Sequence, residues 1–394
     1  MNKEKYIKSL YVDKSLADEL QFNPYFSLIQ TGLGRNITVN DKQCILLGSN
    51  DYLGLANSPK LKEAAANVLE KFGISMCGTP IVIGQTSINN QLEQEIAGFL
   101  KQEDALVYPS GYQANLAIFS ALAGSDDVII ADKEIHSSLL YATQLSSAEL
   151  RFFPHNNLSR LKKIVDQYQS KRMRFIVLEG LYSTNGDVPD LREIVKIARE
   201  SNSFIIIDDA HGVGVLGKEG RGILEHSQTF NQVDLISGSL GKGVGTFGGF
   251  LAGSKHLIDY FRYSSSMYFY STALPPSIAA AGIASLKIIP RLSKQRERIN
   301  RLAKKLKTAL GELGFTLTDS TTPVVSVILK DSRETILVTK LLFEQGIYIV
   351  PFIPPSVPKR SPRIRISVNA NIQEEDIDYV VKTLAEIKGQ LSDE

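Results

Sequence analysis

The chain has 394 residues, 43% hydrophobic and 22% charged, with 44 Lys and Arg against 42 Asp and Glu for a formal net charge of +2. That is apolar material for two or more domains, and the absence of any dense basic block argues against a nucleic-acid partner held by charge. Two distant cysteines, Cys44 and Cys77, argue against a disulfide framework or a structural zinc site, and a charged start with no apolar run of roughly 18 residues argues against a signal peptide or membrane span. The expectation is a cytoplasmic protein.

Residues 1–45 match no strong pattern and are expected to form an arm packed on the rest. From 46 to 289, short apolar runs predict strands near 104–109, 126–132, 149–154, 174–179, 203–209, 234–239 and 248–253. Several are apolar on successive residues, as in strands buried on both faces. Helical patterns intervene at 157–169 and at 190–200, the latter opening on an Asp-x-x-Glu that resembles a capping box. Strands alternating with helices predict a mainly parallel α/β sheet of seven strands with helices on both faces. The last two runs lie close together, so at least one strand is expected to pair antiparallel. After Pro275-Pro276 the pattern changes. A basic helical stretch at 291–310, read as a solvated face, leads into a smaller α+β domain (290–394). That domain holds runs at 323–329, 347–350 and 364–368 and a closing helix that Asn371 is placed to cap.

The chemistry begins in SGSLGKGVGTFGG, residues 237–249. A Walker A loop needs Ser or Thr after its lysine, where Gly243 stands, and a dinucleotide fingerprint needs a different glycine spacing early in the chain. An imine-forming lysine fits better, because partial desolvation lowers the amine pKa and frees the nucleophile. Ser239, three residues before Lys242, offers a phosphate a hydroxyl. In FIIIDDAHGVGVLG (204–217) two acids and a histidine follow an apolar strand at its carboxyl end, where open α/β sheets bind ligands. A carboxylate there calls for a cation, and a protonated pyridine nitrogen is one. A metal is the rival, but the five histidines show no HxH or HExxH spacing, so no metal ligands are assigned. In YPSGYQAN (108–115), Ser110 and Gly111 lie between a strand and a helix whose first amides attract phosphate; a plain strand–helix turn is the alternative. His136, just past another strand, is placed to stack on a flat ring or to serve structure alone. One cofactor needs all four features together: a lysine, an acid, a histidine and a phosphate turn.

The succession GSNDYLGL, SGYQAN, a DxxxH segment, EGLYSTNGD, DDAHGVGVLG and S-x-x-K with a glycine tail resembles the α-oxoamine synthases, over residues 23 to 390. These are fold-type I enzymes dependent on pyridoxal 5'-phosphate (PLP). The resemblance implies that Lys242 carries the cofactor as a Schiff base and moves protons at the substrate α-carbon. Asp208 would pair with the pyridine nitrogen, His211 would meet the phenolic oxygen, and His136 would stack on the ring. Ser110, Gly111 and Tyr112 would frame the cofactor, with Ser110, Gly111 and Ser239 near its phosphate. Ser183 would lie close to the cofactor and the incoming acyl group, and Asn50 with Arg365 would hold the amino-acid carboxylate. A homodimer with sites at the interface is implied, in which Thr272 reaches the partner's phosphate. The implied reaction condenses a small amino acid with an acyl-CoA, releasing coenzyme A and carbon dioxide. Many relatives carry an arginine and a histidine where this chain has Pro80 and Asn89, in a segment that shapes the substrate side. An α-hydroxyketone autoinducer or secondary-metabolite branch, another fold-type I aminotransferase or lyase, and a non-catalytic protein on the same scaffold are the alternatives.

Overall fold

A computed structural model describes residues 3–9 and 15–393. Strands β1 (Asn36–Val39) and β2 (Lys42–Leu46) make an antiparallel hairpin. The central sheet follows with β3 (Asp104–Tyr108), β4 (Val128–Asp132), β5 (Glu149–Phe153), β6 (Arg174–Glu179), β7 (Phe204–Asp208), β8 (Leu235–Ser239) and β9 (Gly249–Gly253). All seven lie where the apolar runs predict them. Their spatial order is β3-β9-β8-β7-β6-β4-β5. Every pairing is parallel except the two made by β9, so one reversed strand sits inside an otherwise parallel sheet.

Each strand feeds two cores. Val128 and Ile130 of β4, with Ile176 and Leu178 of β6, pack on one face with Leu92, Ile96, Leu191 and Ile194 of the covering helices. Ile129, Ala131, Phe175 and Val177 point to the other face, against Ala114, Ile118, Leu139 and Phe261. Alternation along a pleated strand gives each face its own set of side chains, and helices cover both. Strands β4 and β6 are buried throughout, which is why their interior positions (128–131 and 175–178) are apolar, whereas the edge strand β5 exposes Arg151 and Phe152.

The C-terminal region adds β10 (Thr316–Leu317), β11 (Val324–Ile328), β12 (Ile347–Tyr348), β13 (Val350–Phe352) and β14 (Arg363–Ser367). Four of them form the sheet β10-β11-β14-β13, while β12 pairs parallel with β2 of the N-terminal hairpin. The single run expected at 347–350 is thus split between two sheets, and the stretch expected as an arm supplies β1 and β2 to one of them. Three other expectations change in detail. The basic helix spans Ser293–Glu312. It is not only a solvated face, because Arg296 and Arg298 turn inward to backbone carbonyls, including Ile289 O and Ala370 O, both at 2.8 Å. The closing helix starts at Glu374, beyond Asn371. Its entry is closed by Asp376, whose Oδ2 accepts the Gln373 N–H at 2.8 Å, the backward half of a capping box, with position 371 outside the helix.

Candidate active site

Because β3, β4, β6, β7 and β8 run in one direction, the loops leaving their carboxyl ends gather at one edge of the sheet. These loops carry Ser110, His136, Ser183, His211 and Lys242. Neighbouring strands fix the order: Glu179 at the end of β6 lies beside Asp208 on β7, and Asp208 lies beside Ser237 on β8.

The two acids at 208–209 face different surroundings. Asp208 accepts hydrogen bonds from Asn115 Nδ2 at 2.6 Å and from the Ala210 N–H at 3.0 Å. Both donors are neutral, so no cation among its hydrogen-bond partners offsets this buried side chain. Asp209 is walled in by Gly180, Gly212 and Gly222, where a Cβ would lie 1.9–2.2 Å from its oxygens. Its Oδ2 accepts the Ile223 N–H at 2.7 Å, and burial pushes the group well above the usual carboxylate range. Asp208 therefore faces the candidate site, and Asp209 is enclosed by the scaffold.

Lys242, half-buried on the loop after β8, has its amine pushed down by burial; Asp208 and Glu179 oppose that shift and Arg365 adds to it. His211 is buried and held well below the usual histidine range by burial first, then by Lys242, Arg365 and His136. Its Nδ1 lies 2.8 Å from the Tyr52 hydroxyl. Burial raises that phenol, so Tyr52 is the donor, and the neutral ring keeps its own proton on Nε2. The sequence motif SNDYLGL contains Tyr52, yet nothing in its spacing shows that this hydroxyl orients His211.

Gly243 does a different task from the one its small size suggests. A Cβ there would lie 2.3 Å from Val213 O, and Gly214, at φ +86°, abuts the same residue. The glycine is used by backbone packing between the lysine loop and the DDAHGVG loop, not by a ligand. Gly111 does leave a cradle. It lies against Gly238 and Ser239, and a Cβ on Gly249 would fall 2.3 Å from its amide. Ser110 caps the Gly111–Leu122 helix by accepting the Gln113 N–H at 3.2 Å. The first-turn amides, Ser110 and Ser239 thus meet at one point, and free N–H groups at a helix start would suit a phosphate there. His136 caps the helix Ser137–Gln144, with its Nδ1 2.7 Å from Ser138 Oγ, and its ring is exposed beside Tyr112, centroids 6.4 Å apart. Together the cradle, the exposed imidazole and the carboxylate facing neutral donors suit PLP, which needs anion binding, a stacking face and a partner for its ring nitrogen.

Asn50 and Arg365, 315 residues apart in sequence, meet at 2.8 Å through Arg365 Nη2 and Asn50 Oδ1. Arg365 Nη1 also donates to Ser183 O at 3.1 Å, and the guanidinium lies 4.7 Å over the Phe352 ring. Ser183 itself donates its N–H to Glu179 Oε2 at 3.2 Å. Thr272 is exposed. Pro80 opens a single π-helical turn, Pro80–Gly84, whose Ile81, Val82 and Ile83 are exposed. Asn89 is buried and donates to Leu274 O at 2.9 Å, so it fixes the chain before Pro275 and has no open face for a substrate. Glu179 and Asn115 are the site-lining groups that sequence reasoning did not single out. Each lies inside a quoted motif, but one reads as the end of an apolar strand and the other as an ordinary helix residue.

A family model for aminotransferase class I and II matches residues 42–384. Among curated proteins, an 8-amino-7-oxononanoate synthase from Thermoanaerobacter pseudethanolicus is 33% identical over 93% of this chain and 93% of its own length. A serine palmitoyltransferase from Bacteriovorax stolpii is 33% identical over 92% of this chain and 87% of its own. Among solved structures, the serine palmitoyltransferase of S. paucimobilis with a bound PLP–myriocin aldimine superposes with a TM-score of 0.95 at 27% identity, covering all of both chains. These matches show that the chain belongs to the α-oxoamine synthases, PLP-dependent acyltransferases of the aminotransferase class I and II family.

Proposed function

We propose that this enzyme condenses a small amino acid with an acyl-CoA thioester to give an α-aminoketone, free coenzyme A and carbon dioxide. The observation that carries this reading is Arg365: a buried guanidinium, held by Asn50 and Ser183 beside Lys242, whose Nε has no partner. A buried cation with a free donor is costly until an anion meets it, and the planar fork suits a carboxylate. PLP, when bound, supplies an electron sink for the charge that develops at the α-carbon. Lys242, its amine already lowered by burial, carries the proton to and from that α-carbon. When PLP is bound, Asp208 would keep the proton on the pyridine nitrogen and His211 would offer its Nε2–H to the phenolic oxygen. His136 would cover the ring, with Ser110, Gly111, Tyr112 and Ser239 holding the phosphate and Ser183 toward the acyl group.

The test crosses amino acids with acyl-CoA chain lengths and follows free thiol and carbon dioxide. Coupled release of both supports the reading, and amino-acid turnover without free coenzyme A would point instead to an aminotransferase or lyase. Arg365→Lys keeps the charge and loses the fork. It is expected to raise the amino-acid KM about 10- to 100-fold, from the roughly 1.5–3 kcal/mol of a charged hydrogen bond, with the acyl-CoA KM little changed.

We infer a homodimer in the cytoplasm. Val82 is 78% and Tyr270 83% exposed, and their segments touch, since Ala273 donates its N–H to Gly78 O at 3.0 Å. This apolar rim, with Thr272 on it, supports a second copy docking there and Thr272 reaching the partner's phosphate. The free cysteines suit a reducing compartment, and no helix among the described residues is long and apolar enough to cross a membrane. Val82→Glu is expected to shift light scattering toward monomer and to lower cofactor occupancy; a variant that stays dimeric would move the interface elsewhere.

A further inference from the structure

Beside the site lies a charged cluster for which the reaction above has no use. His155, two residues beyond β5, sets Nδ1 3.0 Å from Asp132 Oδ1 and Nε2 2.8 Å from Asp187 Oδ2. Two carboxylate acceptors are satisfied at once only by a ring protonated on both nitrogens. Burial works against that charge, but the hydrogen bonds and charges of Asp132 and Asp187 outweigh it and push His155 up to about 10. Its ring meets Tyr182 edge-on, centroids 4.4 Å apart. Asn156 reinforces both contacts, with its N–H on Asp132 Oδ2 at 3.0 Å and its Nδ2 on Asp187 Oδ2 at 2.6 Å.

What the two carboxylates hold gives the cluster its meaning. Asp132 ends β4, and its Oδ1 also accepts the Glu134 N–H at 2.8 Å, shaping the turn that presents His136. Asp187 closes a second turn, in which its carbonyl accepts the Tyr182 N–H at 3.0 Å. Within this turn, successive carbonyls are taken by the C-terminal region. Thr184 O accepts Ser326 Oγ at 2.7 Å, Asn185 O accepts Thr318 Oγ1 at 2.7 Å, and Gly186 O accepts Thr322 Oγ1 at 2.8 Å. Ser183 O, in the same turn, accepts Arg365. The turn is thus a seat on which the strands bearing Arg365 rest.

We propose that His155 is a positioning residue, whose two hydrogen bonds lock the turn presenting His136 to the turn seating Arg365, fixing the stacking group and the carboxylate clamp relative to each other. The proposal rests on the roles given above to His136 and Arg365. A buried ion cluster by itself is weak evidence of anything beyond folding; the attachment of its two ends to two different parts of the site is what separates the readings.

The test uses the PLP-loaded full chain. His155→Gln donates to one carboxylate only. It is expected to weaken binding of glycine, L-alanine or L-serine, followed by the cofactor's visible spectrum, by about tenfold or more, since small displacements at a site are costly. The visible circular dichroism of the bound cofactor falls in the same variant, while the acyl-CoA KM stays within about twofold. Asp187→Asn moves both signals the same way by less, and the double variant is expected to recover part of the loss, because the uncompensated carboxylate is gone. A His155→Gln protein with a lower melting temperature but unchanged dichroism and amino-acid affinity would overturn the proposal. Should that variant fail to fold, unchanged signals in Asp187→Asn would overturn it equally. Failure of the wild type to release coenzyme A would count against the reaction and leave this spectral comparison intact.

Discussion

Lys242→Ala is expected to abolish the near-visible absorption of the lysine-bound cofactor and to lower turnover by at least about 10³-fold, within the range for losing a positioned acid–base group. Two effects act together. The amine is both the covalent anchor and the carrier of the α-proton, and burial has already moved it toward its neutral form. Ser110, Gly111 and Ser239 are untouched, so the variant still binds PLP without the covalent link. Borohydride should then fix the cofactor to the wild type and not to the variant. Retention of a tenth or more of the wild-type rate, measured as free thiol at saturating substrates, would remove Lys242 from the role of proton carrier.

Asp208→Asn is the second large effect. The amide preserves size and can accept only one of the two N–H donors, Asn115 or Ala210, and it removes the charge that keeps the ring nitrogen protonated. Losing one partner of a buried ion pair costs about 3–5 kcal/mol, which corresponds to about 10²- to 10⁴-fold in rate. Asp209→Asn is the matched control. Its side chain is enclosed by three glycines and anchors the Ile223 N–H, so the substitution acts on melting temperature more than on turnover. The reverse ranking, with the 209 variant inactive and the 208 variant normal, would exchange the two roles. Both rates need the same cofactor occupancy to be compared, which the visible spectrum supplies.

Both variants probe residues that the sequence marks at very different levels of detail. The lysine stands alone in a glycine-rich loop, a setting that by itself fits a structural loop better than an active site, and the acid, histidines and phosphate turn on neighbouring loops are what pick it out. The acid comes as a pair, and DDAH in one dimension holds no reason to prefer Asp208 over Asp209. Side chains at successive strand-end positions point to opposite sides, and only the packing shows which side carries Asn115 and which the glycines. The glycines around Lys242 mislead in the same way. Their smallness is legible, but Gly243 faces Val213 O and not a ligand.

The sequence by itself determined the seven strands of the central sheet, its helical covering and the loops that carry Lys242, Asp208, His211, His136 and Ser110. These are local matters: continuous apolar runs record burial on both faces, and turn residues record where strands stop. Only the tertiary structure decided the strand order, the sharing of β12 with the N-terminal hairpin, and the meeting of Asn50 with Arg365, whereas the antiparallel strand was expected from the close spacing of the last two runs. It also decided that His155 bridges two turns. Such contacts join residues tens to hundreds of positions apart. Their formation depends on which faces the whole chain can bury together, and no local period in the sequence encodes that.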